Sequence, residues 1–148
     1  MHGFLRRLIE SAVDRQLLQF EQFFPWEQAV LSELMSRLSA QDQVRFARQM
    51  KCTGMVQRHK DGEEVNLYRD WRWRVIRLSN RLSIAGDVSE HRIAHGIVKA
   101  SEDQLRFEVF AIDGCLFSLE FSSSPASIFR RWDQSTDGIR AAIQIFMK

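Results

Sequence analysis

Leu105-Arg106-Phe107-Glu108-Val109-Phe110-Ala111-Ile112-Asp113-Gly114-Cys115-Leu116-Phe117-Ser118-Leu119-Glu120-Phe121 is the stretch that decides the fold. Leu105, Phe107, Val109 and Ala111 alternate with polar positions, as one buried strand face requires, while Phe110 and Ile112 apolarise part of the other face. Asp113-Gly114 supplies two residues that tolerate positive φ, the signature of a tight hairpin. The return run places Cys115, Phe117, Leu119 and Phe121 on one side and Ser118 and Glu120 on the other. Two antiparallel strands joined by a two-residue turn are therefore expected.

The same period continues upstream. His91 to Ala100 is a strand candidate, and Ser101-Glu102-Asp103-Gln104 is the polar turn that follows it. Val56 and Arg58, then Val65, Leu67 and Tyr68, flank Lys60-Asp61-Gly62-Glu63, a second hairpin signal. Trp71 to Leu78 fits two patterns. As a strand, Val65, Leu67, Trp71, Trp73 and Val75 share a face; as a helix, Trp71, Val75, Leu78 and Leu82 align. Aromatic and β-branched residues favour strand to about Ile76. Gly86-Asp87 marks a turn within Ile84 to Val88.

Helical spacing dominates both ends. Leu5, Leu8, Ile9, Ala12, Leu17 and Phe20 form a first stripe, closed by Phe24-Pro25. Val30, Leu31, Leu34, Met35 and Leu38 form a second, starting near Trp26. Ser39, with Asp42 three residues on, opens a third helix that ends before Gly54. After Ser122-Ser123-Ser124-Pro125 a short helix through Ile128, Phe129 and Trp132 is expected, with Ser124 as its cap. A last helix is expected from about Asp137, with Ile139, Ala142, Ile143 and Phe146 inward. The order predicts a single α+β domain over 1–148: helical 1–53, a β-meander over 54–122 and C-terminal helices over 123–148. The helices would pack on an antiparallel sheet of about five strands.

A chain of 148 residues, 45% hydrophobic and 27% charged, matches one ordinary globular domain and excludes a disordered or collagen-like chain. It contains no run of 18 apolar residues, which excludes a spanning helix. Met1 to Arg7 lead into a mixed polar segment, so no secretory signal is read and a cytoplasmic location is expected. Arg6 and Arg7 beside Phe4, Leu5 and Leu8 suggest a membrane-surface helix, but Glu10 and Asp14 oppose it, and no membrane binding is expected. Cys52 and Cys115 form no CxxC and are expected to be reduced and mostly buried.

The net charge is only +2, but it is unevenly placed. Five arginines and one aspartate lie between Arg69 and Arg81; seven acids face three bases between Leu82 and Pro125. Arg69-Asp70-Trp71-Arg72-Trp73-Arg74-Val75-Ile76-Arg77 alternates guanidinium with indole. Such a strip suits a protein interface, where Trp and Arg dominate binding energy. It also suits nucleic acid, although the acidic stretch after it would repel a polyanion. The plain alternative is two core tryptophans with arginines paired to neighbouring acids.

Glu90-His91-Arg92-Ile93-Ala94-His95 places two histidines four apart. The zinc-hydrolase pattern needs Glu after the first His; here Glu90 precedes it, and no third ligand is nearby, so no metal is expected. Two partly exposed strand histidines or a pH-sensitive contact are the remaining readings. No phosphate loop and no nucleophile elbow occur, and no pair of carboxylates is singled out. Neither a cofactor nor an enzyme activity is expected.

The hairpin Phe107 to Phe121, with Pro125 after it, resembles one found in small bacterial proteins. Some compact standalone proteins of that kind neutralise a toxin as immunity proteins. The resemblance implies a non-catalytic binding role and transfers no site residue. The expected function is therefore cytoplasmic protein binding, with an immunity role in which the active cleft of a cognate toxin is occluded. A nucleic-acid module using residues 69–81 is the alternative, and a small enzyme the second. Arg69, Trp71, Arg72, Trp73, Arg74 and Arg77, with Glu90, His91 and His95, are the expected partner-binding residues. The arginines would meet an acidic partner; Glu90, Glu102 and Asp103 would instead meet a basic one, such as a nuclease. The sequence leaves that polarity open, and a homodimer is compatible with it.

Overall fold

The computed structural model describes residues 23–70, 72, 74, 78–85, 90–100, 102–129 and 136–148. The expected first helix, the side chains of Trp71, Trp73 and Arg77, and Trp132 lie outside them. The protein is α+β. Helices α1 (Pro25–Arg37) and α2 (Ala40–Lys51) precede strands β1 (Thr53–His59), β2 (Glu64–Arg69), β3 (His91–Ala100), β4 (Asp103–Ile112) and β5 (Cys115–Phe121). Helices α3 (Pro125–Phe129) and α4 (Thr136–Ala141) follow, then strand β6 (Ile143–Met147). All six strands form one antiparallel sheet in the order β1-β2-β5-β4-β3-β6.

The helix starts follow from local chemistry. Pro25 opens α1, and the Phe24 amide donates to Glu27 Oε2 at 2.9 Å. Ser39 Oγ caps α2 by accepting from the Asp42 amide at 3.2 Å. Asp42 does not reach back to complete the capping box. Its carboxylate accepts from the Ser83 amide at 2.9 Å, the Ser83 hydroxyl and the Ile84 amide, and so pins residues 83–85 to α2. At α3 Pro125 is the first helical residue, but the Ser124 hydroxyl donates to the Asp61 carbonyl at 3.0 Å instead of capping the helix.

Both hairpin signals are realised. Asp113 and Gly114 have φ of 52° and 75°, the left-handed pair of a two-residue turn. Lys60, Asp61 and Gly62 turn the first hairpin, all at positive φ. The core lies between α1 and α2 and one sheet face. It contains Val30, Leu31 and Leu34 of α1, Phe46 and Met50 of α2, and Val65, Phe107, Val109, Leu119 and Phe121 of the sheet, each at most 5% exposed.

Three expectations are corrected. The alternation in β5 does not run unbroken: Phe110 faces Ser118 but Ala111 faces Leu116, so Phe117 is an extra, bulged residue. Beyond it the core side passes from Leu119 and Phe121 to Leu116, which is 1% exposed. Strand β2 stops at Arg69, and the Asp70 carboxylate accepts from the Arg72 amide at 2.9 Å; of the strand expected on to Ile76, Arg72 and Arg74 are described and neither is extended, and the other residues of 71–76 lie outside the described ones. Arg74 is helical. The final helix ends at Ala141, where the Ala142 amide bonds the Ile139 carbonyl and the Ala142 carbonyl accepts from the Lys99 amide. Ile143 and Ile145 then alternate inward as the sixth strand and pair with β3. Their spacing fits period two as well as it fits a helix, and the otherwise unpaired edge of β3 decides between them.

An acidic row across the sheet as candidate functional site

The strand registers place one residue from each strand in a single row. His59 faces Glu64, Glu64 faces Glu120, Glu120 faces Glu108, Glu108 faces His95, and His95 faces Phe146. Residues directly opposite share a sheet face, with Cβ atoms roughly 4.5–5.5 Å apart. Val65, Leu119, Val109 and Ala94 form the adjacent row and are buried in the core. The six-residue row therefore projects from the face turned away from α1 and α2.

Three carboxylates stand side by side in it. Glu108 pairs with Arg92, which lies on the same face; both side chains are nearly half exposed, so this pair contributes little stability. Glu64 accepts from Asn66 Nδ2 at 3.0 Å. Glu120, the middle carboxylate, is half-buried and makes no hydrogen bond or ion pair with a described residue. Burial holds its carboxyl above the usual glutamate range; Glu64, Glu108 and Glu90 push the same way, and Lys60 opposes them.

Two buried polar side chains lie beside the row. Asn66 and Ser118 face each other in the next row of the same face, 5% and 1% exposed. Neither Asn66 Oδ1 nor Ser118 Oγ has a hydrogen-bond partner. The flanks of the face are apolar. Phe146 is 51% exposed, with its ring stacked on His95 at 5.4 Å. Tyr68 packs edge-on to Phe117 at 6.0 Å and lies opposite exposed Met55. Between the carboxylates and the β6 edge is an open depression of about 600 Å³, lined by His95, Ile97, Arg106, Glu108, Glu120 and Phe146 among others.

Compared with protein-family models, with curated proteins and with solved structures, the chain matches none. The site is therefore read from its own chemistry.

The expected site residues separate into groups. Arg69 turns to the core side and is half-buried: Nη1 donates to Thr53 Oγ1 at 3.2 Å and Nη2 to the Leu116 carbonyl, and burial lowers its guanidinium to about 10. Arg72 is half exposed, pairs with Asp70 at 2.6 Å and donates to the Lys51 carbonyl. Arg74 is exposed. His95 sits in the acidic row, and Glu90, exposed just before β3, adds to the negative potential at Glu120. His91 lies opposite Ala111, on the core side. The register shift between Arg92 and Ala94 puts an extra residue between the two histidines and turns them to opposite faces, so they do not act together. Among the described residues no three His, Cys, Asp or Glu side chains converge as metal ligands.

A second cavity, about 610 Å³, lies at Phe24, Trp26, Arg58 and Pro125. Its buried charge, Glu27, is paired with Arg58. Glu27 is fully buried and takes Arg58 Nε at 2.7 Å and Nη2 at 2.6 Å, while the guanidinium lies 4.2 Å from the Phe24 ring centroid. Phe24, Trp26 and Phe129 stack in series beside it. The pair ties β1 to α1 and offers a partner no free charge.

Proposed function

We propose that this protein is a non-catalytic, cytoplasmic protein-binding module that uses the acidic row and its apolar flanks to hold a basic partner. An immunity role fits: the sheet would cover the cationic cleft of a toxin, such as one that binds nucleic acid. The carrying observation is the placement of Glu64, Glu120 and Glu108 side by side, with the middle carboxylate in no ion pair with a described residue. Directly opposed like charges destabilise a sheet by roughly 0.2–1 kcal/mol per contact. A partner that supplies lysines or arginines removes that cost.

Size supports the reading. Six strands at about 4.8 Å spacing span about 24 Å, and their mean length is about 25 Å at about 3.3 Å per residue. That face is about 600 Å², at the lower end of one side of a standard interface. Phe146 and Tyr68 would act as aromatic anchors around the charged centre. The polarity favours Glu over Arg as the contact residue, since Arg69 and Arg72 already have internal partners. The same polarity disfavours nucleic acid.

The test is affinity capture from nuclease-treated host lysate with three baits. The native chain and an Arg72→Glu/Arg74→Glu variant should retain one stoichiometric protein, and a Glu64→Lys/Glu108→Lys variant should lose it. Loss with the arginine variant and retention with the glutamate variant would transfer the interface to the basic segment.

A further inference from the structure

We infer that binding at this face is coupled to proton release from Glu120: the middle carboxyl of the row gives up its proton when a partner's cation arrives beside it. The inference rests on reading the face as a site for a basic partner. Its basis is geometric. Glu120 has a carboxylate directly opposite on each side, Glu64 from β2 and Glu108 from β4, and is half-buried between them. The other charged or titratable groups around it are His59 and Lys60 at the β1 turn, Arg106 of β4, and Glu90, Arg92 and His95 on or beside β3. None forms an ion pair with Glu120 among the described residues, and Arg92 is taken by Glu108. Asn66 Oδ1 and Ser118 Oγ, buried beside the row, have no hydrogen-bond partner among the described residues.

The proton balance follows. In the free protein burial and the two neighbouring carboxylates favour the protonated form of Glu120 to higher pH than in an isolated glutamate. A guanidinium or ammonium docked over the row favours the ionised form, and the proton passes to solvent. The complex then holds fewer protons than its free components. By linkage, affinity rises with pH and falls as pH drops through the titration of Glu120, with a limiting slope of about one decade in Kd per pH unit for one proton.

Hexa-arginine serves as the probe, titrated calorimetrically into the native chain from pH 4.5 to 7.5 in buffers of different ionisation enthalpy. Side-chain carboxyl NMR of the free protein follows Glu120 in parallel. The expected result is proton release at mildly acid pH, a Glu120 midpoint above the usual glutamate value, and weaker binding as pH falls. Glu120→Gln should remove the proton release assigned to Glu120 and flatten the pH dependence of binding. Identical pH dependence in native and Glu120→Gln proteins, or an ordinary Glu120 midpoint, would overturn the coupling while leaving the acidic face as a binding site. Equal hexa-arginine affinity in native and Glu64→Lys/Glu108→Lys proteins would overturn the face itself, and the coupling with it.

Discussion

Glu108 and Glu120 face each other directly across β4 and β5, and they do so because Phe117 is bulged out of register. The two-residue turn at Asp113-Gly114 alone would set Glu108 opposite Leu119, a pairing that would set one of them on the wrong face. One extra residue restores Leu119 to the core opposite Val109 and brings the two carboxylates together. A single bulge thus serves packing and creates the acidic centre.

Relief of that repulsion should be measurable without a partner. Glu120→Gln should stabilise the protein at pH 7 by about 0.5 kcal/mol, within the roughly 0.2–1 kcal/mol expected of opposed like charges. The raised carboxyl binds more protons folded than unfolded, so its ionisation costs stability as pH rises from the ordinary glutamate value through the folded one. The gain from Gln should therefore shrink towards zero below the ordinary value, as urea denaturation at pH 7 and pH 4 would show.

Asp42 should give the opposite pH dependence. Burial alone would raise its carboxyl, but the Ser83 hydroxyl, the Ser83 amide, Arg45 and the Ile84 amide together hold it below the usual aspartate range. Its contribution is present above that range and lost as pH falls through the folded value. Asp42→Ala should cost about 2 kcal/mol at pH 7, and less as acid protonates the native carboxyl, because it strands the Ser83 and Ile84 donors. Equilibrium unfolding across pH 3–7 gives both numbers.

The Glu27–Arg58 pair is a packing element. Arg58→Met leaves a fully buried carboxylate without its partner and should cost about 3 kcal/mol. Replacing both, as Glu27→Leu/Arg58→Met, should recover much of that loss, which a double-mutant cycle in chemical denaturation would register.

Gly96 is needed because Phe107 lies across it. A Cβ there would stand 2.3 Å from the Gln144 carbonyl oxygen and 2.4 Å from the Phe107 ring. Backbone on one side and a buried ring on the other leave no room to yield. Gly96→Ala should cost about 3 kcal/mol, seen as a lowered Tm with increased hydrogen exchange in β6.

Much of the fold was legible from local chemistry. Asp61-Gly62 and Asp113-Gly114 gave both hairpins, Pro25 and Ser39 gave helix starts, and the stripe of Val30, Leu31, Leu34 and Leu38 gave the buried side of α1. Strand β6 is not legible, because Ile139, Ala142, Ile143 and Phe146 satisfy helical spacing; only the neighbouring β3 edge resolves the two periods. Of the proposed site, His95 and Glu90 stand out in sequence. Glu64, Glu108, Glu120 and Phe146 do not, since their row depends on cross-strand register, and a bulge leaves no mark in a run such as Cys115 to Phe121. Arg69 drew attention by composition, yet its position opposite Thr53 turns it inward.

Carbodiimide coupling of the captured complex, followed by mass spectrometry of the joined peptides, links carboxylates to lysines with no spacer. The acidic face as partner site requires cross-links from Glu64, Glu108 or Glu120 to lysines of the partner. Cross-links that instead join partner carboxylates to Lys51, beside Arg72, with none from the three glutamates, would contradict it.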